Sequence, residues 1–224
     1  MQLINDLFKN PLSYWVRSLI NKYKFLSQCK SKNIKIDYMS YITDSIMNDN
    51  STIYQNVRLH NVDLGSFSYV ANDTRILGAN IGKFCSIGPS CRIGLGKHPS
   101  RNFVSTHPIF FSKESHVGIT FTNENLYQEF GKITIGNDVW IGANVIIKDD
   151  LNVGDGAIIG AGSIVTKNVA DFAIVAGNPA KLIRYRFTPE QIEKLKLLKW
   201  WDMDIKELEE IYTHLDNIDN IDKF

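Results

Sequence analysis

From Ile135 onward an aliphatic residue returns every sixth position. The leaders are Ile135, Ile141, Ile147, Val153, Ile159 and Val165, and glycine follows four of them. The fifth place of each step is Val139, Val145, Leu151, Ala157, Ser163 or Val169, small or β-branched apart from Leu151. A helix repeats its faces every 3.6 residues, so a period of six excludes it. A short strand followed by a tight corner has this period, with one apolar side chain inward per strand and glycine relieving the bend. Three such strands make one turn of a parallel coil, and stacked turns bury a narrow aliphatic column. Earlier in the chain Leu64, Val70 and Ile76 step by six, a short step reaches Ile81, and Ile87 and Ile93 follow.

Between these two runs the period is lost. Residues 96–111 read GKHPSRNFVSTHPIFF, and the repeat resumes only after Lys132. The pattern predicts an excursion from the coil over 96–132. Ahead of the coil, Leu12, Trp15, Val16, Leu19, Ile20 and Tyr23 fall at helical spacing. The predicted helix is expected to pack this stripe on its own protein. With Arg17, Lys22 and Lys24 beside it, a membrane surface is the alternative. After the coil, Thr188-Pro-Glu-Gln191 is a capping box with proline at the first helical position. Asp204-Ile-Lys-Glu207 opens a second helix. These helices are expected to close the open end of the coil. The organisation expected is a helical and extended segment over 1–52, a β-coil over 53–182 and a helical segment over 183–224.

Composition changes this picture little. The chain has 224 residues, is 44% hydrophobic and 22% charged, and has a formal net charge of +1. That gives no argument for a nucleic-acid partner. The charge is uneven, however. Residues 1–35 hold Arg17 and six lysines against Asp6, whereas the tail from Trp200 holds eight acids against two lysines. The two ends can pair with each other or meet different partners. Three cysteines without a recognisable leader read as reduced thiols in cytoplasm, with Cys85 and Cys91 as small core filler at the fifth place of their hexads.

GKHPSRNFVSTHPIFF, GNDVWIGANVII, GAIIGAGSIVTKNV, IVAGNPAKLIRYRF and KWWDMDIKELEE together resemble the hexapeptide-repeat acyltransferases over roughly residues 60–212. They are most similar to the xenobiotic acetyltransferases and the O-acetyltransferases of capsular and lipopolysaccharide sugars. The resemblance implies a mainly β fold, a left-handed parallel β-helix of hexapeptide repeats with an inserted loop. It implies acetyl-CoA as co-substrate without a metal, and a homotrimer with active sites between neighbouring coils. The acceptor it implies is the hydroxyl of a glycan or its precursor, with a sugar amine or an antibiotic as alternatives. The expected location is the cytoplasm, at the inner face of the membrane if the basic N-terminal helix touches lipid. Two other classes compete: a coil that binds without catalysis, and a histidine-bound zinc enzyme of the same fold.

The site residues follow from that resemblance. Acetyl transfer to a hydroxyl needs a proton acceptor, and imidazole suits that task near neutral pH. His98 stands where the family places its base. His107 and Tyr69 are acceptor-binding candidates. Trp140, Gly142, Gly160, Ala161, Lys167, Asn178, Pro179 and Lys181 are candidates for acetyl-CoA, the small residues for close backbone approach and the lysines for its phosphates. Taken singly, each glycine is an ordinary corner residue and each lysine a solvated charge. No carboxylate is evident to orient the His98 ring.

Overall fold

The structure is a computed structural model that describes residues 10–223. It is a three-sided parallel β-helix. The first face stacks Lys35–Ile36, Thr52–Ile53, Tyr69–Val70, Ser86–Ile87, Trp140–Ile141, Ile158–Ile159 and Ala173–Gly177, all parallel neighbours. The second carries Tyr41–Thr43, Arg92–Ile93, Ile146–Ile147 and Ile164–Val165. The third carries Ile46–Met47, Ile133–Ile135 and Asn152–Val153. Two longer strands, Arg58–Leu64 and Arg75–Ile81, run from the second face into the third, since each pairs with strands of both.

The coil starts well before the expected boundary at residue 53. Lys35 and Ile36 already pair with Thr52 and Ile53. The inward column is Ile36, Ile42, Met47, Ile53, Leu59, Leu64, Val70, Ile76, Ile81, Ile87 and Ile93, each at most 5% exposed. It advances by six, five and six residues in turn, so partners in successive turns are 17 apart. After the excursion the spacing is 18. The early turns escape a search for six because one corner is a residue short and, before Leu64, no glycine follows their leaders. Their corners use residues at positive φ, such as Asn50, Asn56 and Asn61, as the later corners use Asp138, Asn144 and Asp150. Asparagine tolerates that region better than most side chains. Each buried leader contributes about 1.5–3 kcal/mol by leaving water.

The N-terminal helix α1 (Pro11–Gln28) lies across the first turn, and its orientation corrects the expected packing. The first turn has no preceding rung, so its outward backbone groups need partners. The polar side of α1 supplies them. Asn21 bonds both the N–H and the C=O of Ile42 at 2.8 and 2.7 Å, as a neighbouring strand would. Ser18 Oγ donates to Ser40 C=O and Lys22 Nζ to Ile36 C=O. Phe25 and Leu26 meet the core from the same helix. Leu12, Trp15, Val16, Ile20 and Tyr23 are consequently exposed.

The other end also differs from expectation. An antiparallel strand, Ala180–Tyr185, covers the first-face edge of the last turn by pairing with Ala173–Gly177. The helix α2 (Pro189–Leu198) has the expected capping box at Thr188, and α3 (Ile205–Ile211) opens where expected, with a second capping box at Asp204. However, the C-terminal segment packs on a corner, where Phe67 and Phe84 stack at 4.7 Å and Trp200 leans on Phe84. Leu195 and Trp201 join Phe172 there in a second small core. The acidic tail meets the coil at Lys83, which pairs with Asp202 at 2.9 Å. No helix among those residues is long and apolar enough to cross a membrane.

Candidate active site

The excursion leaves the corner between the second and third faces, the same corner that is one residue short in earlier turns. Its neck is held by Asp149, a buried carboxylate that the sequence reading passed over. Oδ2 accepts from Leu95 N–H and Gly96 N–H at 2.8 and 3.0 Å, and Oδ1 from Gly131 N–H at 2.9 Å. One side chain of the coil therefore ties the outgoing strand to the returning one. Lys97 N–H donates to Glu129 C=O at 2.7 Å, and Lys97 forms an ion pair with Asp150. That pair raises the Lys97 ammonium above its ordinary value and lowers the Asp150 carboxyl below its own, through their hydrogen bond first.

Beyond the neck the excursion builds its own small core. Phe111 is fully buried and meets the rings of His98, Phe103 and Tyr127 edge-on at 5.7–5.9 Å. Tyr127 Oη donates to His98 C=O at 3.2 Å. These contacts fix the backbone that carries His98.

The two candidate histidines hold opposite tautomers. His98 Nδ1 lies 2.7 Å from Thr106 C=O. A carbonyl only accepts, so Nδ1 bears the proton and the lone pair of the neutral ring is on Nε2. Among the described residues a backbone carbonyl, and no carboxylate, orients the ring. His107 caps the 3₁₀ turn Pro108–Phe110, and its Nδ1 accepts from Ile109 N–H at 3.2 Å. Its proton is therefore on Nε2, which makes the outer edge of His107 a donor. Of the other three histidines, His116 lies near Glu129 and His60 near Asp44, both at 3.5 Å, and His214 is on the C-terminal segment. Among the described residues no three His, Cys, Asp or Glu side chains gather as a metal-holding group.

The remaining candidates lie elsewhere on the coil. Tyr69 and Trp140 are exposed on the first face, flanking Ser86 in its outward ladder. Gly142 and Gly160 sit where that face turns into the second. A Cβ on Gly142 would come within 2.5 Å of Ala161 N, so glycine is required there by rung stacking. Both glycines use N–H and C=O inside the coil: Gly142 with Ile159 and Cys91, Gly160 with Val175 and Ser163. They shape the surface and leave Ala161 exposed on it. Asn178 and Pro179, joined by a cis bond, extend this edge, and exposed Lys181 follows on the returning strand. Exposed Lys167 instead follows the second-face strand Ile164–Val165, toward the excursion's corner.

The candidates thus form two groups. His98, His107 and Lys167 belong to the corner opposite the first face; Tyr69, Trp140, Gly142, Gly160, Ala161, Asn178, Pro179 and Lys181 belong to that face and its edge. Among the described residues no hydrogen bond or ring contact links them. Hollows of about 600 and 690 Å³ lie under the C-terminal helices and within the excursion, and neither is lined by His98 or Trp140.

Residues 132–167 match the bacterial transferase hexapeptide family of six repeats. A chloramphenicol acetyltransferase from Agrobacterium fabrum is 48% identical over 54% of this chain and 58% of its own length. A probable macrolide acetyltransferase from Lysinibacillus sphaericus is 41% identical over 57% of this chain and 71% of its own. The chain spans roughly three fifths of the length of the chloramphenicol acetyltransferases it matches. Among solved structures, a mutant of an N-acyltransferase from Bacillus cereus, in complex with dTDP and coenzyme A, shares the fold. It has a TM-score of 0.57 and 20% identity, over 79% of this chain and 96% of that one. The repeat, the fold and the identity over most of the macrolide relative agree, and the chain belongs to the bacterial hexapeptide-repeat transferase family.

Proposed function

We propose that this chain moves an acetyl group from acetyl-CoA to the hydroxyl of a small acceptor, with His98 as general base. The observation that carries this reading is the His98 tautomer. An exposed imidazole, held by a carbonyl at Nδ1, presents a basic Nε2 outward from a braced excursion. Acetyl-CoA would supply an activated thioester. His98 Nε2 takes the acceptor's hydroxyl proton as the oxygen bonds to the acetyl carbon. The C–S bond then breaks, and the proton passes to the departing sulfur. His107, with its proton on Nε2, suits a hydrogen bond to an acceptor oxygen.

The residues fit a long, flat cofactor with a charged end. Trp140, Ala161, Asn178 and Pro179 are exposed along one face and its edge, and the exposed cation Lys181 follows them. The His98 group and the Trp140 group occupy opposite sides of one coil, so the site needs the excursion of one copy against the first face of another. The excursion is suited to such a contact, because Val104, Phe110, Phe121 and Phe130 stand exposed on it. Repetition of one such contact around an axis closes into a ring, which supports the homotrimer implied by the family resemblance.

For the acceptor we favour a sugar hydroxyl of a surface glycan or its precursor. A second reading, a hydroxyl-bearing antibiotic, is favoured by the relatives named for chloramphenicol and macrolides. Thiol release from acetyl-CoA, followed with a panel of sugars, nucleotide sugars and both antibiotic classes, separates the two. Acceptor-dependent release that falls at least about 10²-fold in His98→Ala supports the base; equal release in both proteins removes it. Absence of acetyl-CoA binding would leave a coil that binds something else.

A further inference from the structure

The end of a parallel coil turns the usual logic of an amphipathic helix inside out. The side of α1 facing the protein is polar at Ser18, Asn21 and Lys22, because the first turn's Ile36, Ser40 and Ile42 backbone groups require hydrogen bonds, and is apolar at Phe25 and Leu26. Leu12 and Tyr23, 66% and 65% exposed, and Ile20, 61% exposed, therefore look outward with Trp15 and Val16. That direction is past the last rung and along the coil axis. A second copy packed beside the coil covers its faces and corners and leaves this direction open. The exposed apolar groups of the excursion, by contrast, project from a corner, where a neighbouring copy can reach them.

Charge narrows the occupant. No acid occurs from Leu7 to Ile36, whereas Arg17, Lys22, Lys24, Lys30, Lys32 and Lys35 fall in that stretch. Lys22 is tied to Ile36 C=O; Arg17 and Lys24 are exposed on the helix, Lys30 and Lys32 on the segment after it, and Lys35 on the first strand. The first turn's acids lie on the coil's corners, exposed Asp37 directly after the Lys35–Ile36 strand among them. Asp44 is near His60 of the next turn, and Asp49 accepts from Lys32 N–H. A helix with leucine, isoleucine, tryptophan and tyrosine on one side and cations along its flanks has the composition that lies in a bilayer interface. An acid-free basic margin complements anionic headgroups.

We propose that α1 seats the N-terminal end of the coil on an anionic lipid bilayer, its apolar stripe among the acyl chains and Arg17, Lys24, Lys30 and Lys32 at the headgroups. In side-by-side copies the stripes would face the same way and form one basal plane. This inference is independent of the transferase reading.

The test is co-sedimentation of the full chain with vesicles of phosphatidylcholine alone or mixed with phosphatidylglycerol. Binding to the mixed vesicles is expected to be at least about tenfold stronger and to weaken with salt. Leu12→Glu/Ile20→Glu changes two exposed positions. It should abolish binding and leave particle size by light scattering and thiol release as in the unaltered protein. Arg17→Glu/Lys24→Glu should remove the preference for the anionic lipid. The proposal is overturned if the unaltered chain binds neither vesicle, or if the Leu12→Glu/Ile20→Glu protein binds as well as it does. A smaller particle in that variant would assign the stripe to a second copy instead.

Discussion

The coil and the excursion carry opposite solutions to the same problem of holding backbone in place. In the coil each rung bonds to the next, and one aliphatic side chain per strand fills a column in which Ile53, Val70, Ile87, Ile141 and Ile159 are fully buried. The excursion has no ladder. It is held by one carboxylate at its neck, by side-chain bonds such as Thr120 Oγ1 to Ser112 C=O at 2.7 Å, and by rings around Phe111. A repeat makes a rigid frame whose backbone groups are already paired. An irregular segment can place an imidazole with one nitrogen fixed and the other outward. The proposed chemistry uses the second on the support of the first.

The sharpest way to break this division is at the histidines. His98→Ala is expected to lower kcat about 10²- to 10⁴-fold, equivalent to roughly 3–5 kcal/mol of barrier. His107→Ala should cost less, because its outer nitrogen is a donor in the neutral ring. Full activity in His98→Ala with a collapse in His107→Ala would reverse the assignment and reject the tautomers read here. Steady-state kinetics on the two variants decides it.

Two core deletions test whether coil and excursion are separate units of stability. Ile87→Ala opens a cavity in the column and should cost about 2–5 kcal/mol of global stability. Phe111→Ala removes the hub of the excursion core, at about 3–5 kcal/mol locally. Its expected signature is fast cleavage within 96–132 by protease, with thermal melting of the coil nearly unchanged. If both variants lower the melting temperature alike, the excursion is part of the coil's cooperative unit and the comparison fails.

What could be read from the sequence follows the same division. The column from Ile135 to Val165 was legible because each inward residue recurs at a fixed step and glycine marks four of the corners. The turns from Ile36 to Leu64 obey a fixed step too, but of 17 residues per turn, and among their leaders only Leu64 is followed by glycine. The excursion's limits were legible as a loss of period. Its interior was not, because Thr106 acts through its carbonyl, which its side chain does not announce. Asp149 reads as an ordinary corner residue of the hexad IKDDLN until its carboxylate is seen to accept three N–H groups. The inverted helix α1 was misread for a physical reason: apolar stripes normally face the protein, but the end of a coil presents unpaired backbone and selects the polar side.

Asp149→Asn probes the joint between the two regions. The amide keeps one acceptor and turns a donor toward backbone N–H groups, so about 1–3 kcal/mol should be lost at the neck. Proteolysis within the excursion should rise, and kcat should fall further than acetyl-CoA affinity, since the cofactor candidates on the first face are untouched. An equal loss of both would mean that Asp149 supports the whole fold.

The smallest effect is expected at the outer pair of the same joint. Lys97 holds the Asp150 carboxyl below its ordinary value, so the folded chain keeps this group ionised at a pH where the unfolded chain protonates it. The contribution is therefore fully present above the ordinary Asp value of 3.8 and is lost as pH falls below it through the lowered one. The Asp150 side chain is 52% exposed, and solvent screening limits the pair to about 1 kcal/mol or less. Asp150→Asn should thus leave melting near neutral pH almost unchanged, and the small difference from the unaltered protein should shrink further under acid. A large effect at neutral pH would show that Asp150 works as Asp149 does, through Lys132 N–H at 3.3 Å, and that the neck has two anchors where the geometry gives one.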